Sequence, residues 1–81
     1  MAASVLDYDY SKLKGRIKEK FGTQEDFARA IHMSPQTISY KLNGQVEWTQ
    51  DNIEKAISIL DIPAKEIHIY FFTKKVEKIS A

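Results

Sequence analysis

The run Thr23–Gly44, TQEDFARAIHMSPQTISYKLNG, constrains this chain more than any other stretch, because it holds two helix start signals within one short span. Thr23 stands three residues ahead of Asp26, a short capping box in which the hydroxyl takes an orphan backbone N–H and the carboxylate reaches back. Ser34 followed by Pro35 is the second signal. It gives an N-cap oxygen and then a proline whose missing N–H costs nothing at the first helical position. Phe27, Ala28 and Ile31 give the first helix one apolar face, and Ile38 and Leu42 do the same for the second. Only His32, Met33 and Ser34 remain to join them, so the helices must cross steeply with Met33 as the plug between them. That is the geometry of a helix-turn-helix.

The second helix of the pair can be read residue by residue. With side chains about 100° apart, Ile38 and Leu42 define the inward direction. Gln36 and Tyr40 then point away from it, Thr37 and Lys41 lie on one flank, and Ser39 lies on the other. A solvated helix face ordinarily carries Glu and Lys. This one offers Gln, Thr, Ser, Tyr and Lys, with no acidic side chain from Ser34 to Gln45. Amide and hydroxyl groups pair with base edges and phosphates, whereas a carboxylate would be repelled by the backbone. The competing reading, an ordinary solvated face, lacks the acids it should have.

At 81 residues the chain forms one domain with a single small core. Cysteine is absent, so there is neither a disulfide framework nor a thiolate metal site, as suits a cytoplasmic protein. No apolar run approaches the ~20 residues of a membrane span, and no signal peptide is evident. The net charge of +1 carries no message of its own. Its distribution does. Lys12, Lys14, Arg16, Lys18, Lys20, Arg29 and Lys41 face only Glu19, Glu25 and Asp26 between residues 12 and 44. The excess falls on the candidate reading helix and its neighbours, as an electrostatic footprint requires. Lys-rich surfaces also serve solubility, so this supports the reading without carrying it.

Residues 1–9 read as a disordered or tag-derived N-terminus. Leu6, Tyr10, Leu13, Ile17 and Phe21 recur at spacings of three and four, giving a helix from about Tyr10 to Phe21. Asp9 or Ser11 caps it and Gly22 ends it. Gly15 inside it is unfavourable by about 1 kcal/mol relative to Ala, unless close packing requires it. Val46 and Trp48 are expected as core anchors of the loop after Gly44, with base stacking the lesser alternative for Trp48. Thr49 caps a fourth helix over about Gln50 to Leu60, and Asp51 suits its dipole. Asp61-Ile62-Pro63 breaks the chain and starts a short helix. Ile67, Ile69 and Phe71 fit a strand as well as a helix; the lead-in Pro63-Ala64-Lys65-Glu66 favours a helix ending near Tyr70. Four consecutive bulky residues, Ile69, Tyr70, Phe71 and Phe72, exceed what it can bury, so the tail at 73–81 or a second copy of the chain should cover some of them.

From about Tyr10 to Phe72 the chain resembles the phage repressor/Cro-type helix-turn-helix family, through Gln24, Phe27, Ala28, Ser34, Thr37, Ile38, Ser39, Asn43 and Gly44. The runs DYSKLKGRIKEKFGTQEDFA and IPAKEIHIYFF are similar to small Cro-like regulators of phages and prophages of Gram-positive bacteria. His32 departs from the pattern, since that turn commonly begins with Gly. Histidine tolerates positive φ better than most residues, so the turn survives at some cost. The resemblance implies an all-α bundle of about five helices, the lambda-repressor-like DNA-binding domain, over residues 10–72. It places Gln36, Thr37 and Tyr40 at base edges and Gln24, Ser34, Ser39, Lys41 and Asn43 along the DNA backbone.

Other chemistry has little support. His32 and His68 lie on different elements with no cysteine to join them, so no metal and no cofactor are expected. Neither a Gly-rich phosphate loop nor a nucleophile beside a base is present, and an enzyme is not expected. The sequence therefore points to a sequence-specific DNA-binding regulator, alone in its chain, that binds double-stranded DNA as a homodimer on a near-palindromic operator. The dimer surface is expected at Ile69, Tyr70, Phe71 and Phe72. The alternatives are an antitoxin that covers a toxin partner and a protein-interaction module that no longer reads DNA.

Overall fold

The computed structural model describes residues 8–74, and these form five α-helices, one 3-10 turn and no strand beyond a single isolated bridge. The helices are α1 (Ser11–Phe21), α2 (Gln24–Ala30), α3 (Pro35–Leu42), α4 (Gln50–Ile59) and α5 (Ile67–Phe71). The 3-10 turn, Ala64–Glu66, leads into α5. The expected all-α architecture is therefore the observed one, including the helix at 67–71 that alternation alone left open.

Local chemistry accounts for most boundaries. The Asp9 carboxylate accepts the Ser11 backbone N–H at 2.9 Å and the Ser11 hydroxyl at 2.6 Å, fastening the start of α1. Gly22, at φ 85°, ends that helix and donates its N–H to Lys18 O. Thr23 accepts the Asp26 N–H at 3.1 Å, but the expected reciprocal bond is replaced: the Asp26 carboxylate accepts from Arg29 Nη1 at 2.9 Å. Thr49 and Asn52 make the full reciprocal box at the start of α4. His32 sits at φ 63°, the left-handed turn residue its position required.

Leu13 and Ile17 from α1, Phe27 and Ala28 from α2, and Ile38 and Leu42 from α3 meet Ala56, Leu60, Ile62 and Phe71 in one core. Met33 packs against it from the turn, as expected of a plug. α2 packs on both α1 and α3, and α5 closes on α1. Trp48 is buried, with its ring 6.3 Å from Tyr10 and 5.2 Å edge-on from Phe71 between centroids. Val46 is a correction. It is 39% exposed, and the buried anchor of the loop is Trp48.

The end of α4 carries a tie the sequence did not disclose. Arg16 donates from Nε to Leu60 O at 2.9 Å and from Nη2 to Asp61 O at 3.0 Å. Lys20 Nζ binds the Asp61 carboxylate at 2.7 Å. Orphan carbonyls at a helix C-terminus need such donors, and Asp61 itself stands at φ 54°, a conformation aspartate tolerates better than most side chains. Arg16 and Lys20, two of the cations counted between residues 12 and 44, are thus engaged in holding α4 to α1.

Tyr8 and Asp9, assigned to the N-terminal segment, pair with the start of the tail. Tyr8 bridges Lys74, the Asp9 N–H donates to Thr73 O at 2.7 Å, and the Tyr8 ring meets Phe72 edge-on at 5.8 Å. Tyr8 and Asp9 on one side and Thr73 and Lys74 on the other are thus paired with each other outside the span 10–72. The expectations for residues 1–7 and 75–81, including cover of Ile69 to Phe72 by the rest of the tail, lie outside the described residues.

Two substitutions test this account by chemical denaturation. A Cβ at Gly15 would meet nothing within 4 Å, so no neighbour demands glycine there, and Gly15→Ala is expected to stabilise by about 0.5–1 kcal/mol. Phe71→Ala, which empties a position only 1% exposed, is expected to cost about 3–5 kcal/mol.

Candidate functional site

The helix α3 is held at its base and free at its tip. Ser34 Oγ accepts the Thr37 N–H at 3.1 Å and its hydroxyl donates to Thr37 Oγ1 at 2.8 Å, with Pro35 next in the chain. Ile38 and Leu42 point into the core and are essentially inaccessible. Opposite them Gln36 and Tyr40 are exposed, and Gln36 Nε2 donates to the Tyr40 hydroxyl at 2.8 Å. They lie one turn apart, where helical side chains meet. Thr37 and Ser39 are half-buried on the two flanks. Gln24 at the first position of α2 and Asn43 just past α3 are both exposed. The geometry thus brings Gln36, Thr37 and Tyr40 onto one face, with Ser34 and Asn43 at its ends.

Lys41 departs from expectation. Assigned to the DNA backbone, it is 6% exposed, and its ammonium donates to Glu47 O at 2.7 Å while standing 5.8 Å from the Trp48 ring centroid. It ties α3 to the following loop through a hydrogen bond and a cation–π contact. The physical reason is reach: Lys41 lies on the flank of α3 that faces the Glu47–Trp48 loop, and its long side chain folds back against that loop. The aromatic side chain soon after α3 was the signal available in the sequence. Burial pushes the Lys41 ammonium below its ordinary range, and the Glu47 charge opposes that shift.

The proposed dimer residues divide. Phe71 is a core residue and is corrected on that ground; the short α5 turns it inward against Trp48. Ile69 and Tyr70 are half-buried, and Phe72 is 48% exposed.

Charges around α3 are fewer than the count implied. Arg29 pairs with Asp26, Arg16 and Lys20 are engaged at the end of α4, and Lys41 is inside. Among the described residues, Lys12, Lys14 and Lys18 on α1 are exposed and form no ion pair. No group of three or more His, Cys, Asp or Glu able to hold a metal ion occurs among the described residues. No helix there is long and apolar enough to cross a membrane.

Residues 6–74 match the family model described as Protein of unknown function (DUF739). The chain belongs to the DUF739 family. Its fold is similar to the solution structure of the modulator of repression (MOR) of the temperate bacteriophage TP901-1 from Lactococcus lactis. That likeness has a TM-score of 0.74 and 47% sequence identity, and covers 89% of this chain and 97% of the other. No curated protein matches.

Lys41 supplies the test of this site. A group whose pKa is lowered on folding binds fewer protons folded than unfolded between its folded value and the unfolded 10.5. Stability therefore rises with pH across that interval. Comparing Lys41→Met with the parent by urea denaturation at about pH 7 and about pH 10, the parent is expected to gain relative to the variant as pH climbs. A parent that loses ground would mean the ammonium is favoured by its surroundings.

Proposed function

We propose that this DUF739 protein is a small regulator of phage type that modulates repression, and that its working surface is the exposed face of α3. The observation that carries this reading is the pairing of Gln36 with Tyr40 on the free side of a helix fixed by its cap and by two core residues. The likeness to a phage modulator of repression supports the regulatory part.

The partner the face fits best is duplex DNA. A glutamine amide has two N–H donors and an acceptor oxygen. The Tyr40 hydroxyl takes one donor and fixes the amide plane, leaving one N–H and the oxygen, the pair needed for the bidentate edge of adenine. Thr37 stands beside it, and Tyr40 itself reaches a thymine methyl or a phosphate. Ser34, Ser39, Gln24 and Asn43 keep their proposed backbone roles, while Lys41 does not. A domain this small offers few base contacts, so tight binding calls for a two-fold dimer with reading helices about 34 Å apart. Ile69, Tyr70 and Phe72 remain as its proposed surface. Such a protein acts by occupying an operator, needs no cofactor and has no catalytic role.

A second reading has its own observation. Tyr40 and Val46 are exposed large apolar side chains at the end of α3, and the Gln45 N–H donates to Tyr40 O, which holds the two segments together. With Lys41 inside, that end of the face is neutral and partly apolar, as suits a protein partner such as the repressor whose action is modulated.

Selection on random duplex followed by salt titration separates the two. A DNA reader enriches a near-palindromic site and loses affinity steeply with salt. On that site Gln36→Ala is expected to cost about 1–3 kcal/mol and to relax preference at one base pair. Absence of any enriched site, together with capture of a repressor by the same face, would transfer the function to the protein-binding reading.

A further inference from the structure

We propose that Lys14 and Lys18, on the exposed side of α1, are the cations that neutralise the DNA phosphates flanking the α3 face. The inference rests on the DNA reading above and names the charges that reading lacks. Lys41 cannot serve, because its ammonium is bonded to Glu47 O inside the molecule. Arg16 and Lys20 hold the end of α4, and Arg29 is paired with Asp26. A protein face without free cations would gain none of the counterion release that supplies most of the affinity for duplex DNA.

Lys14 adjoins both ends of the motif. It lines a surface recess with Lys18, Thr23 and Gln24 at the start of α2. It also lines a second recess with Leu42 and Asn43 at the end of α3. A duplex seated on Gln36 and Tyr40 carries one strand past that end of α3, so a phosphate there meets the Lys14 ammonium beside the Asn43 amide. Lys18 lies one turn further along α1 and continues the same positive edge past Gln24. Asp9 also lines the recess near Asn43, but its carboxylate is turned to the Ser11 backbone and hydroxyl. Both lysines are exposed and without ion pairs among the described residues, so nothing must break for them to engage.

The test uses the full chain and the duplex enriched by selection, with affinity measured over a series of potassium chloride concentrations. Each phosphate contact contributes about 0.9 to the slope of log affinity against log salt. Lys14→Gln and Lys18→Gln each remove one contact per protomer, two per dimer, and are each expected to make that slope shallower by about 1.8 without changing the preferred sequence. Lys65→Gln, which lies in neither recess, should leave the slope alone, and Lys14→Arg should keep the parent value. Thermal melting of each variant verifies that the fold is intact. A parent slope retained by both glutamine variants would overturn the proposal and leave DNA reading standing. A parent chain that binds no duplex would remove the DNA reading, and this proposal with it.

Discussion

The burial of Ile38 and Leu42 between α2 and the rest of the core is the constraint on which the arrangement depends. Ile38 has no exposed surface, and neither do its core companions Phe27 and Ala28. An α-helix of eight residues is too short to persist alone in water, so α3 owes its existence to this anchorage and to its cap. Fixing two side chains on one side fixes the azimuth of all the others. Gln36 and Tyr40 face solvent because Ile38 and Leu42 do not. A site built this way tolerates change at its tip far better than at its root, since the tip makes no packing contact that holds the helix.

The distribution of charge follows from the same economy of size. A chain this small has few core residues with which to join five helices, and polar ties supply the remainder. Arg16 closes the carbonyls at the end of α4, and Lys41 joins α3 to the loop that delivers Trp48. Each tie withdraws a cation from the surface. A charge count over residues 12–44 therefore overstates what a polyanion would meet, and the usable positive edge contracts to α1. Trp48 shows the other side of this economy: its Nε1 is buried with no hydrogen-bond partner among the described residues, tolerated because its ring joins Tyr10, Phe71 and Lys41 at one point.

Much of the fold was legible because its signals are local. Ser34-Pro35, Thr49, Gly22 and the four-residue spacings of Leu13 with Ile17 and of Phe27 with Ile31 each state a boundary or a face within a few residues. The positive φ at His32 came from the resemblance, whose turn commonly begins with Gly at that position. What escaped depends on neighbours distant in sequence. Arg16 meets Leu60 and Asp61 across 44 and 45 positions, and no periodicity in α1 announces that partner. Phe71 and Phe72 are adjacent and chemically alike, yet one is core and the other half exposed. Phe71 is the last residue of α5 and faces Trp48, whereas Phe72 follows the helix and points another way. Lys41 escaped for a subtler reason: the helical wheel gave its direction correctly, but direction does not say where a long side chain ends.

The face of α3 sets opposite demands on its two candidate partners. DNA requires polar groups at the tip and cations at the margin, and the tip meets that demand through Gln36, Thr37 and the Tyr40 hydroxyl while the margin depends on α1. A protein partner requires apolar area with few charges to desolvate, and tyrosine serves it well because one end is apolar and the other polar. Tyr40 therefore lies where the two demands overlap. Its hydroxyl accepts from Gln36, whereas its ring, with Val46 nearby, makes the apolar part of the same surface. Removing the hydroxyl alone would release the amide from its fixed plane and leave the ring in place. Loss of binding on that change would speak for base reading, because a partner gripping the ring would scarcely register it.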